Sequence, residues 1–478
     1  MKGFAIHNSM TDHGGIIPAT QMKASQMGNL FLLAGDGHFC PKCKCWSTII
    51  KSHDHVIFFG KSVAYAGDKL TCGARVLPKQ SHVVGDSGKP YFGNSATSSQ
   101  NQQESFRSDV IKKNFIDLLE VQVAPFIPLG IPTADGTPRS PKLKFYGEVI
   151  NGIFEAITLE IKKDGAYTEV ARLNQSFLGS KKFKIEWDGF IKDLYDSKFM
   201  TNPTGISIRV KGINGGHAIA QSEKVFKFKY ALKDWMDVLI NKKTQHILIN
   251  LRVNFVEGWV TIGLLNGHAV SKVALQQYGK VPYSQRTRTH QQLEKLAMDG
   301  INYYWSRNNS HPTGKNVTIR GEKYEVFVKT IPSKTNALPK MVLTYVTNLD
   351  PNDSLLRSSN WELSRKTAYV TGYLSINNKW TFREHIFSDQ KFKETIAHET
   401  GHAIVETYVG FNESVTHHGS SGYDQNPKAG TKYPQTGEID LMKYAKGELT
   451  NVANWDSRLI ANEKDVTGLL IISGISRK

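Results

Sequence analysis

One pentapeptide constrains this chain more than any other: His398-Glu399-Thr400-Gly401-His402, inside a run with helical spacing of apolar residues. Two histidines four apart on a helix face the same way, and both imidazoles can reach one zinc ion. The glutamate after the first histidine then stands beside the open metal position, placed to take a proton from the attacking water. Phe392, Ile396, Ala397, Ala403, Ile404, Val405 and Val409 supply apolar contacts, Ser388-Asp389 offers N-cap oxygens, and Gly410 is a C-terminal stop. The expectation is a largely buried helix of about twenty residues. The alternative is a solvated amphipathic helix that happens to carry two histidines. Burial argues against it, because histidines and a glutamate in a core need partners, and a metal supplies them.

A catalytic zinc takes three protein ligands and keeps one position open. The extended pattern HExxHxxGxxH is not continued, since Val405 stands at the glycine position and Tyr408 at the third histidine. Glu406 lies too close along the same helix to complete a tetrahedron. The next acidic cluster, Gly437-Glu438-Ile439-Asp440, follows a polar, Gly-rich loop from His417 to Thr436 that could cover the cleft. A hard carboxylate from a second element suits zinc, so the expected metal ligands are His398, His402 and Glu438, with Asp440 as the substitute for Glu438. Met442 is either an apolar floor under the metal or ordinary core. Tyr444, His417 or His418 could stabilise an oxyanion.

The chain has 478 residues, which predicts roughly two to four domains. Its 40% apolar and 22% charged content describes a soluble globular protein. The start, Met1-Lys2-Gly3-Phe4-Ala5-Ile6-His7, has no apolar run for a signal peptide, and no stretch approaches membrane-spanning length. Synthesis in the cytoplasm, without the general secretory route or stable membrane insertion, is expected. The net charge of +17 predicts attraction to anionic partners. Its lysines and arginines are dispersed, with neither a zinc-finger array nor an aromatic platform, which argues against nucleic-acid recognition.

All four cysteines, Cys40, Cys43, Cys45 and Cys72, lie near the N-terminus. Cys40-Pro41-Lys42-Cys43-Lys44-Cys45 reads as a metal knuckle or a redox pair, and the neighbouring His13, His38, His53 and His55 favour a structural zinc. Glycine-rich turns punctuate short strands through residue 93, with Gly-Asp recurring at Gly35-Asp36, Gly67-Asp68 and Gly85-Asp86. The ordered set Asp12-His13-Gly14-Gly15, Gly35-Asp36, Cys40-Pro41, Gly60-Lys61-Ser62-Val63-Ala64 and Gly67-Asp68-Lys69-Leu70-Thr71-Cys72-Gly73 resembles the PAAR-repeat domain. That resemblance implies a small zinc-stabilised β cone at the tip of a type VI secretion spike, seated on a trimer of the valine-glycine repeat protein. It also implies a zinc held by His13, Cys72 and some of Cys40, His38, His53 and His55.

Four segments are expected. Residues 1–93 form the PAAR domain, and 94–140, opening on the polar run Asn94 to Gln103, a linker. Residues 141–235 alternate with period two at 157–162, 183–188, 206–211 and 225–230, which predicts an immunoglobulin-like β-sandwich acting as a spacer. Residues 236–478 mix strands at 247–253, 323–328 and 368–374 with a helical run, 289–307, before the HExxH helix. This order predicts an α+β zincin-type metallopeptidase with an edge strand able to hold an extended peptide. The fold class is therefore multidomain: an all-β cone, a β-sandwich and an α+β hydrolase.

His398-Glu399-x-x-His402 with the later Glu438 and Met442 is similar to metzincin-like metallopeptidase effectors carried on type VI spikes. The resemblance implies an antibacterial toxin delivered to a rival cell's periplasm, cleaving amide bonds of protein or peptidoglycan stem peptides. It also implies a cognate immunity protein in the producer. Glu399 is the expected general base. Two other functions compete: a spike-tip adaptor without enzymatic activity, and a metal-dependent nuclease, which the single-helix HExxH layout disfavours.

Overall fold

The computed structural model describes residues 2–26, 28–53, 56–79, 84–85, 115–122, 124–137, 139–178, 181–262, 275–349, 358–361, 364–376, 379–420, 427–428, 432–444 and 453–478. The polar run from Asn94 to Gln103 and His55 fall outside them. The protein is mostly β, and its chain divides into two compact units, 1–108 and 109–478.

The N-terminal unit is built from very short antiparallel pairs, among them Ser9–Met10 with Ile16–Ile17, Gly37–Cys40 with Cys45–Thr48, and Ile57–Phe58 with Lys61–Ser62. Isolated bridges such as Phe4 to Tyr65, Ile6 to Phe31 and Thr11 to Val76 join them. Two small cores fill the interior, one around Ile17, Leu32 and Ile49, the other around Phe31, Val63 and Tyr65. The repeated Gly-Asp has a structural cause. Gly35 and Gly67 both sit at φ +94°, where a Cβ would be strained, and each following aspartate accepts from a backbone N–H three residues back. Asp36 takes Leu33 N at 3.0 Å and Asp68 takes Tyr65 N at 2.8 Å.

The second unit begins with two antiparallel sheets. One orders Ala166–Leu173, Ala156–Lys163, Ile206–Asn214 and His217–Phe226; the other orders Phe115–Val121, Leu143–Asn151 and Lys181–Trp187. They share a core in which Phe145 meets Trp187 and Phe226. Three details depart from the sequence reading. Phe115–Val121 lies in the stretch expected to be linker, yet it pairs with Leu143–Asn151, its Ile116 and Leu118 fully buried. Ala156–Lys163 has no wet face over its first six residues, because Arg209 and Lys211 fold over Glu160 at 2.7 and 2.8 Å. The strand expected at 225–230 breaks at Lys227, and Phe228–Tyr230 pairs instead with the C-terminal Ile475–Arg477. Sandwich and C-terminal half thus share strands and one continuous core, and form a single unit.

In the C-terminal half, His246–Val253 and Phe255–Ile262 are separated only by Asn254 and run in two sheets. The first pairs parallel with Glu322–Pro332, the second with Met341–Leu349. The crossover between these parallel strands carries the helix His290–Trp305, closed at its N-terminus by a Thr289–Gln292 capping box. Met341–Leu349 pairs parallel with Ser364–Ile376, which pairs antiparallel with the short Ser359–Trp361. Among the described residues Ser359–Trp361 has no other strand neighbour and is an edge.

The long helix His385–Tyr408 lies across this frame. It starts before the expected N-cap; Asp389 instead holds Arg288 at 2.6 and 3.0 Å and accepts from Tyr369, while Ser388 is buried. It ends where Gly410 turns to φ +115°. Phe392 and Ile396 pack against Tyr345 and Tyr369, and Trp305 Nε1 donates to the Ala397 carbonyl at 3.0 Å. Gly300 lets the two helices touch, since a Cβ there would lie 2.5 Å from the Lys393 carbonyl oxygen.

Candidate functional site

His398 and His402 share a face of the long helix, their rings 4.9 Å apart. The third group brought to them is His417. Ligand atoms of His398, His402 and His417 all lie within 4.8 Å of one another. Each ring is aimed by a backbone carbonyl at Nδ1: Leu441 O at 2.8 Å for His398, Ser414 O at 3.1 Å for His402, and Val415 O at 2.7 Å for His417. Carbonyls only accept, so Nδ1 carries the proton in all three and each Nε2 presents a lone pair. This is the outer-sphere arrangement that orients metal-bound histidines.

The lone pairs fit a cation. His398 Nε2 is buried without a partner. His402 Nε2 and His417 Nε2 stand 3.1 Å apart, and two lone pairs that close repel unless a positive centre lies between them. Two imidazoles on one zinc, with bonds of about 2.05 Å at a tetrahedral angle, would have nitrogens about 3.3 Å apart. Burial lowers the pKa of all three histidines, His417 to about 3, which keeps them in the neutral, ligating form.

Glu399 is 8% exposed, and burial raises its carboxyl pKa to about 8. It lines the cleft with Ser359, Asn360, His402, His417 and Tyr444. The Asn360 side-chain amide donates to the Glu399 carbonyl and ties the edge strand to the helix. Tyr444 stacks on His417 at 3.9 Å and borders the cleft on both sides of Glu399. Met442 is fully buried beneath Gly401, where a Cβ would meet its sulfur at 2.2 Å; it floors the helix between the two histidines.

Neither acidic residue expected as third ligand joins this group. Glu438 forms a bidentate pair with Arg307 at 2.6 and 2.8 Å. Arg307 is 1% exposed, and a buried guanidinium commits the carboxylate that neutralises it. Asp440 contacts His418 at 3.1 Å and accepts from Asn462 at 2.8 Å. His417 is the residue that the sequence reading placed only among oxyanion candidates. Its signal was the donor chemistry, a histidine pair opening the loop after the helix, and not any motif spacing.

In the N-terminal unit, His13, Cys40, Cys43 and Cys72 converge, with ligand atoms within 4.8 Å of one another. His13 Nδ1 lies 3.6 Å from Cys40 Sγ and 3.4 Å from Cys43 Sγ. The Ser47 hydroxyl and the Ala74 backbone lower the Cys72 thiol to about 6, whereas burial and the neighbouring thiols raise Cys43 to about 11. A thiolate-poised cysteine among thiols and an imidazole is a zinc-type donor set. His53 is engaged elsewhere, at 2.8 Å from the Val63 carbonyl, and His38 Nδ1 faces the Phe39 carbonyl.

A family model described as the PAAR motif matches residues 7–78. The motif supports a type VI secretion spike-tip role and association with the valine-glycine repeat spike, and PAAR domains bind zinc, which the His13–Cys72 cluster fits. Curated protein sequences give no match. Solved structures similar to parts of the chain include a β-glucuronidase from Ruminococcus gnavus in complex with D-glucuronic acid (8% identity, 45% of this chain, 30% of that one, TM-score 0.14). Others are a putative β-galactosidase from Bacteroides fragilis (10%, 38%, 28%, 0.13) and β-glucuronidase 2 of Bacteroides uniformis (8%, 62%, 34%, 0.15). The chain spans about a third of the length of these structures, and at such TM-scores they carry no argument. Among the described residues no helix is long and apolar enough to cross a membrane.

Proposed function

We propose that this chain is a type VI secretion effector whose C-terminal half is a zinc-dependent hydrolase of amide bonds, delivered by its PAAR domain. The observation that carries the reading is the convergence of three Nε2 lone pairs, His398, His402 and His417, beside the buried carboxyl of Glu399. Zinc held by those three nitrogens would polarise an amide carbonyl and make water acidic enough to ionise near neutrality. Glu399 takes the proton of the attacking water and hands it to the leaving amine nitrogen. Its burial raises its proton affinity, and a nearby cation lowers it again toward the working range. The Tyr444 phenol, at the cleft wall, is placed to donate to the developing oxyanion. The short strand Ser359–Trp361 ends its sheet and lines the cleft beside Glu399, where an extended peptide would run.

The target is a rival bacterium's periplasm, where the amide belongs to a protein or a peptidoglycan stem peptide, and the producer carries a cognate immunity protein. In a competition assay, Glu399→Ala abolishes killing while secretion of the chain persists. An adaptor with no activity of its own would kill equally well with either residue.

A further inference from the structure

We infer that His418, clamped between Asp440 and Asp465, is a positioning residue that fixes the third ligand His417; this rests on reading His398, His402 and His417 as one metal site. His417 and His418 are consecutive non-glycine residues in the left-handed region, at φ +46° and +49°. A non-glycine residue there is strained and persists only where its surroundings over-determine it. The His418 ring meets a carboxylate at each nitrogen, Asp440 Oδ2 at 3.1 Å from Nδ1 and Asp465 Oδ1 at 3.6 Å from Nε2.

Both carboxylates are anchored in turn. Asp465 is fully buried, and its Oδ1 accepts from the Tyr408 hydroxyl at 2.5 Å. Tyr408 is the last residue of the helix that bears His398 and His402. Asn462, the N-cap of Glu463–Ile472, accepts from Asp465 N and donates to Asp440 Oδ2, both at 2.8 Å. Asp440 also accepts from Met442 N at 2.9 Å, bracketing Leu441, whose carbonyl aims His398. The clamp therefore joins the end of the ligand helix, the segment that orients His398 and the loop that presents His417. Among the described residues, two hydrogen bonds to backbone hold His417 itself, from its Nδ1 to Val415 O and from Tyr444 N to its carbonyl.

The test is zinc affinity of the full chain by chelator competition, with a His398→Ala/His402→Ala variant defining what the N-terminal cluster binds. His418→Ala and Asp465→Asn each weaken the histidine site by roughly 10–100-fold, the range of outer-sphere changes at metal sites. In a His417→Ala background neither substitution weakens it further. Asp465→Asn keeps an oxygen for Tyr408 and serves if His418→Ala does not fold. Unchanged affinity in the folded variants, or the same fold-loss with and without His417, overturns the inference while leaving the metal site standing. A wild-type chain that binds no more zinc than the reference variant overturns both.

Discussion

His402 and His417, fifteen residues apart in the chain, face each other through Nε2 atoms at 3.1 Å while each gives its Nδ1–H to a backbone carbonyl. Neither ring has a proton to offer the other in that tautomer, so the contact is one that a metal ion resolves. The first prediction follows directly. Metal analysis of the purified full chain finds two zinc ions per chain, one from each donor cluster, and His398→Ala/His402→Ala retains one.

Glu438 is held by Arg307 and lies outside the His398–His402–His417 cluster. Glu438→Gln therefore leaves zinc content unchanged and lowers stability by about 1–2 kcal/mol, because it removes the nearer of the two carboxylates at the buried guanidinium, leaving Glu463 at 3.8 Å. Denaturant unfolding read beside metal analysis separates the two effects. Loss of the second zinc in this variant would restore Glu438 as a ligand.

Glu399 sets a pH dependence in the metal-stripped chain. Its pKa rises from 4.5 unfolded to about 8 folded, so the folded state holds the proton that the unfolded state releases. Stability is full below pH 4.5, falls through the interval up to about 8 and levels off above it. With chelator present, Glu399→Gln matches wild type at pH 4.5 and exceeds it at pH 9, by an amount on the order of a few kcal/mol. Equal melting curves at both pH values would contradict the burial of this carboxyl.

Gly300 offers a test in which two effects have opposite sign. In an open helix, alanine would stabilise by about 1 kcal/mol over glycine. Here the new methyl would press on the Lys393 backbone, which no side-chain rotation relieves. Gly300→Ala is expected to destabilise by about 1–3 kcal/mol and to reduce zinc affinity by shifting the helix that carries His398. A raised melting temperature would mean the two helices are further apart than described.

The buried helix with its two histidines was legible because one helix face carries both, and that local spacing does not depend on distant partners. The short paired strands and the Gly-Asp turns of the N-terminal unit were legible for the same local reason. What failed depended on distant partners. Glu438 looked free until Arg307, over a hundred residues earlier, claimed it. Phe115–Val121 looked like linker because its partner strand begins only at Leu143, after a turn-rich stretch. His417 required knowing that the loop folds back onto the helix, a fact carried by the Asp440 and Asp465 contacts and not by any spacing from His402.

The most direct test is digestion of purified sacculi and of a periplasmic protein extract with zinc-loaded wild type and Glu399→Ala, read by mass spectrometry. The account predicts new amide-cleavage products from one substrate with wild type, absent with Glu399→Ala and absent after chelation. Identical product profiles from both proteins on both substrates would contradict it.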